Sequence, residues 1–205
     1  MERPAHHRAP ENLDHTKPTA AQRAGTRWGL DRVLLLHGRD GDRDLARALQ
    51  RHLRHLPVVM LHDRLLSGGM VLEHLAVGPG GVTIVAGTGE LPEPLRVEFL
   101  HGVFGARAEL LRDGAAADRT ALVAPVREHV AAVRRLIDDY APVAGALVLG
   151  GEGRPERLCG LEVEGILVAG AKAVAELAAR EGDLHDYELA SLVDLLDRLC
   201  PPALL

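Results

Sequence analysis

The sequence predicts an α/β (α+β) chain with a central mixed sheet flanked by helices. Three observations point there. Residues 40–56 carry a helical apolar period, and residues 58–86 break into three strand-like runs separated by Gly-rich turns. Beyond them come a helix, two buried apolar runs and two closing helices. A length of 205 residues allows a domain that buries a real core, and the expected division is a disordered tail over 1–25 and a single domain over 26–205.

Each element has its own signal. The tail is rich in Pro, His, Ala and charge and poor in large apolar residues, so it cannot bury enough surface to order itself. From Asp40, Leu45, Leu49, His52, Leu53 and Leu56 recur at three and four residues until Pro57 stops the run, while Arg43, Arg47, Arg51 and Arg54 fall on the solvated side. VVMLHDRLL (58–66), VLEHLAVG (71–78) and VTIVA (82–86) read as strands, joined by a Ser67-Gly68-Gly69 turn and a Pro-Gly-Gly turn. LRVEFLHGVFGARAELLRDG begins with alternation that suggests one or two further strands. Asp118 to Thr120 can cap a helix through Tyr140, with Leu122, Val126, Val130, Val133, Leu136 and Ile137 on its apolar face. A strand at 143–151, another around Val163 to Val168, a helix ending at Gly182 and a helix stopped by Pro201 complete the chain.

Composition narrows the function classes. Rings make up only 2% of residues, which argues against the stacking platforms of single-strand binders, and a net charge of −5 gives no overall basic field for nucleic acid. Two separated cysteines, Cys159 and Cys200, make neither a disulfide scaffold nor a zinc site. No apolar run approaches the roughly 20 residues of a membrane span, and no apolar h-region marks a secretory signal, so no membrane association and a cytoplasmic location are expected. GPGG (78–81) and GTGE (87–90) lack the spacing of a dinucleotide loop or a P-loop Lys.

Taken together, GRDGDRDLARAL (38–49), VLEHLAVGPGGV (71–82) and VTIVAGT (82–88) resemble the nuclease-related domain (NERD) family of the restriction-endonuclease-like PD-(D/E)xK superfamily. GRDGDRDLARAL (38–49) is similar to that family's first helix, with Asp42 where members carry Glu. VLEHLAVGPGGV (71–82) is similar to its second element, with Glu73 in place of Asp and His74 retained. The third element, VTIVAGT, departs from the family's acid-x-Lys: Ala86 stands at the acid and Thr88 at the Lys. The resemblance runs from about Gly38 to Pro201. It implies a restriction-endonuclease-like core of order helix-β-β-β-helix-β.

It also implies what such a site would need. Two or three carboxylates converge on Mg²⁺, whose bound water becomes the nucleophile, and a Lys stabilises developing charge. Asp42 and Glu73 would be the metal ligands. Ala86 offers no side-chain oxygen, and Thr88 supplies no positive charge. The expected outcome is a degenerate nuclease domain that binds nucleic acid or a protein partner, with no cofactor expected and Mg²⁺ only if it is active. The alternative is a Mg²⁺-dependent nuclease with relocated groups: Glu90 as the missing carboxylate, and Lys172 or an Arg of the 127–135 helix as the missing charge. His74, Arg127 and Arg134 are the binding candidates. His74 also reads as a hydrogen-bonded structural histidine, and the arginines as a solvated face. Homodimerisation through an exposed strand edge stays open.

Overall fold

The computed structural model describes residues 40–88, 95–102, 105–112, 115–116, 118–149 and 160–203, with 40–42 and 95–116 described in backbone alone. The tail read at 1–25, Glu90 and Cys159 lie outside the described residues. Among the described residues are four helices, α1 (Asp40–Leu53), α2 (Arg119–Leu136), α3 (Ala171–Ala178) and α4 (Asp186–Leu199). The strands are β1 (Val59–Leu65), β2 (Val71–Gly78), β3 (Gly81–Gly87), β4 (Leu95–Gly102), β5 (Gly105–Arg112), β6 (Ala115–Ala116), β7 (Val143–Val148), β8 (Leu161–Val163) and β9 (Ile166–Ala169).

The mixed sheet expected from the sequence is present, with strand order β1-β2-β3-β7-β9-β8. β1, β2 and β3 form an antiparallel meander. β7 then lies parallel to β3, and β9 parallel to β7. Parallel neighbours cannot be joined by a tight turn, so α2 lies in the connection from β3 to β7 and packs on the sheet. The ambiguous 95–116 segment forms a separate ribbon of order β4-β5-β6. The single strand expected around Val163 to Val168 is instead the antiparallel hairpin of β8 and β9. Glu164 and Gly165 turn it with φ of 50° and 79°, the positive pair a two-residue hairpin requires.

Two apolar layers sandwich the sheet. Leu45, Leu49 and Leu53 of α1 and Val174, Ala175 and Ala178 of α3 pack with Ala76, Val85, Ala146 and Val148 on one face. Val123 and Val126 of α2 pack with Leu147, Val163, Ile166 and Val168 on the other, and Ala86 joins that layer. Strand residues alternate between faces, which is why neighbours such as Val85 and Ala86 serve different layers.

Helix ends fall short of the periodic patterns for local reasons. Asp118 caps α2 as expected, accepting the Ala121 N–H at 3.1 Å. The helix ends at Leu136 rather than Tyr140, because Asp138 and Asp139 turn to φ of 49° and 53°. α4 begins after His185, whose N–H donates to the Glu188 carboxylate at 3.0 Å. Beyond α4, the chain runs along the outer edge of β1. The Leu65 N–H donates to the Pro201 carbonyl at 2.9 Å, and the Ala203 N–H to that of Asp63 at 2.7 Å. Arg64, 3% exposed, holds this end in place by donating to Asp197 Oδ1 at 2.7 Å and to the Cys200 carbonyl at 3.2 Å.

Candidate functional site

Glu73 sits near the start of β2. His74 is paired with Val85, so extending the register by one places Glu73 opposite Ala86. Its side chain therefore lies on the α2 face, and Glu73 Oε2 accepts the backbone N–H of Gly87 at 2.9 Å. Thr88 follows, buried, with its N–H donating to the Val148 carbonyl at 3.0 Å. On the β3 side of Glu73 the sheet thus presents a methyl group, a glycine backbone and a buried threonine, and on the β1 side the register brings Asp63 level with it.

Asp42 belongs by backbone to the first turn of α1, and its side chain is not among those described. The apolar stripe of α1 packs on the face of Ala76 and Val85, opposite the face that Glu73 occupies. Among the described residues no group of three His, Cys, Asp or Glu side chains gathers where it could hold a metal ion.

His74 alternates with Glu73 and points into the α1 and α3 layer, fully buried. Its partner is His62 of β1, directly opposite in the register. The two Nδ1 atoms are 2.9 Å apart, and the rings meet edge to face with centroids 4.8 Å apart. One ring must donate through Nδ1 and the other accept there, so the pair is tied to complementary tautomers. Burial, with a smaller part from the Arg64 charge, holds His62 down at about 4.

The arginine candidates lie elsewhere. Arg127 pairs with Glu164 Oε2 in the β8–β9 turn, and Thr120 Oγ1 donates to the other carboxylate oxygen at 2.7 Å. That turn is three strand spacings from β2, about 14 Å across the sheet. Arg134 donates to the Val143 carbonyl at 3.0 Å, at the start of β7. Leu147, level with Ala86, is four residues farther along, about 13 Å. Neither guanidinium is therefore beside Glu73. Lys172 is on α3, which packs on the face opposite Glu73, and it pairs with Glu176 at 3.9 Å.

No family model matches the chain, and neither a curated protein nor a solved structure matches it.

His62, Arg64 and Glu164 carry much of this geometry without standing out in the sequence. His62 had a usable signal. A hairpin turning on Gly68 places residue 62 opposite residue 74, so two histidines in facing strands were a pair waiting to be read. Arg64 and Glu164 had none, since their partners Asp197 and Arg127 are distant in sequence.

Proposed function

We propose that this chain is a nuclease-related domain whose catalytic site has degenerated, and that it works as a binding module for nucleic acid or a protein partner. The observation that carries the reading is the use made of Glu73. The carboxylate that would be a metal ligand caps the Gly87 N–H, and the position facing it is Ala86. The order helix, three strands, helix, strand supports the same ancestry, with the β4–β6 ribbon inserted before the second helix.

Mg²⁺ is the ion this ancestry implies. A hard cation needs several oxygen ligands. On the β3 side Glu73 already accepts a backbone hydrogen bond, Ala86 offers a methyl group and Thr88 a neutral hydroxyl, so the strand that should supply the second acid and the Lys fits neither role.

Restoring the lost acid tests the reading. Ala86→Asp puts a carboxylate opposite Glu73, and the variant is expected to bind Mn²⁺ in a calorimetric titration where the native chain shows no heat. If a folded Ala86→Asp variant binds Mn²⁺ no better than the native chain, the position is not a former ligand site and the ancestry fails.

A further inference from the structure

Tyrosine buries well, and a chain with 2% rings has few to place in its core. Both tyrosines are nevertheless on the surface, Tyr140 being 51% and Tyr187 69% exposed. Tyr140 follows the end of α2 and Tyr187 lies in the first turn of α4, and the segments beside them are both anchored to one turn, the Pro79-Gly80 link between β2 and β3. On one side the Val82 N–H donates to the Pro142 carbonyl at 2.9 Å, two residues past Tyr140. On the other the Leu184 N–H donates to the Pro79 carbonyl at 3.2 Å, three residues before Tyr187. Glycine makes both approaches possible. Gly81 has φ of 112° and a Cβ there would run into the Pro142 carbonyl, while one at Gly182 would run into that of Pro79.

The rings meet a polar, acidic surround. His185 stacks on Tyr187 with centroids 6.4 Å apart. The neighbouring Glu188, by hydrogen bonding and by its charge, pushes the Tyr187 hydroxyl pKa up, with a smaller electrostatic part from Tyr140. Asp138 and Asp139, immediately before Tyr140, hold left-handed backbone that aspartate adopts at a cost, and both are exposed. Glu181 and Asp183 before α4 and Asp186 at its start are exposed, and the exposed cations at this end are fewer, Arg180 and, in the last turn of α2, Arg134 and Arg135. The charge bias extends well beyond this end: residues 40–205 carry 17 Lys and Arg against 25 Asp and Glu, net −8.

We infer that this end of the sheet docks a partner protein through a flexible Arg- or Lys-rich segment, its cations lying on the rings of Tyr140 and Tyr187 and against the flanking carboxylates. A cation over a tyrosine face is attracted by the ring quadrupole, and exposed tyrosines are common anchors of binding energy. The carboxylates steer a cationic segment in and repel a polyanion, so the charge favours a basic peptide over nucleic acid. The inference specifies the partner of a binding module and does not depend on nuclease ancestry. Metal binding by the Ala86→Asp variant can fail while this surface stands, and the reverse.

The test is fluorescence anisotropy of a labelled Arg-Gly repeat peptide with the full chain. It compares the native protein, a Tyr140→Ser/Tyr187→Ser variant and a Glu176→Gln/Asp194→Asn control that removes acids from other surfaces. Both tyrosines are exposed, so the serine variant should keep the native circular dichroism. Its binding is expected to weaken by about tenfold or more, while the control stays within about twofold of native. An unchanged affinity in the serine variant, an equal loss in the control or no binding by the native chain would overturn the inference. So would single-stranded DNA that binds the native chain and loses its hold with the tyrosines.

Discussion

Glu73 Oε2 accepts the Gly87 N–H at 2.9 Å, so the acid of β2 serves as a side-chain cap on the end of β3. The bond gives a polar backbone group its acceptor where the strand leaves its pairing with β2. Glu73→Gln keeps an acceptor oxygen and is expected to unfold in urea within about 0.5 kcal/mol of native. Glu73→Ala is expected to cost about 1 kcal/mol. Equal losses in the two variants would mean that the charge, not the acceptor, matters.

The His62–His74 pair makes stability depend on acid. His62 titrates at about 4 when folded and at 6.5 in its ordinary state, because burial penalises the charged ring. Between those values the unfolded chain binds the extra proton. Stability from this group is therefore complete above 6.5 and is lost as pH falls toward 4, by up to about 3 kcal/mol. Urea midpoints across that window should fall steeply in the native chain and less so in His62→Gln, whose amide cannot titrate. Parallel slopes would assign the acid sensitivity elsewhere.

Arg64 ties the C-terminal end to β1 through Asp197 and the Cys200 carbonyl. Asp197 is 36% exposed and regains water when the arginine is removed, so Arg64→Ala is expected to cost about 2 kcal/mol rather than the full loss of a buried pair. Cys200 is the reporter. Burial pushes its thiol up to about 11, against a lowering by Arg64, and keeps it unreactive. In a Cys159→Ser background, maleimide labelling of Cys200 is expected to be at least about tenfold faster with Arg64→Ala. Unchanged labelling would show that the end of α4 is held without Arg64.

Gly81 is the hinge on which the β2–β3 turn and the Tyr140 loop meet. With φ of 112° and the Pro142 carbonyl against it, Gly81→Ala is expected to cost at least about 2 kcal/mol in thermal or urea unfolding. Gly68→Ala, with φ of 91° but open space around it, should cost about 1 kcal/mol. Equal costs would remove the close approach from the account.

These contrasts show what could be read from residues and what could not. β1, β2 and β3 were legible because turn glycines bounded short apolar runs, and their hairpins then fixed pairing by arithmetic. The Glu164-Gly165 hairpin was not, because a Glu in left-handed backbone carries no turn signature and is held by Thr120 and Arg127 from α2. Glu73 and Ala86 were both named from the sequence, yet the cap on Gly87 needed coordinates, since period-2 alternation gives a face and not a hydrogen-bond partner. Arg127 and Arg134 read as a basic helix face, and only the structure puts them on Glu164 and the Val143 carbonyl.

The most direct measurement of the central claim is cleavage of single- and double-stranded DNA by the purified, folded chain with Mg²⁺ or Mn²⁺, beside Glu73→Ala. The account predicts intact DNA in every lane. Metal-dependent cleavage by the native chain that disappears with Glu73→Ala would contradict it, and would place a working carboxylate where a cap has been inferred.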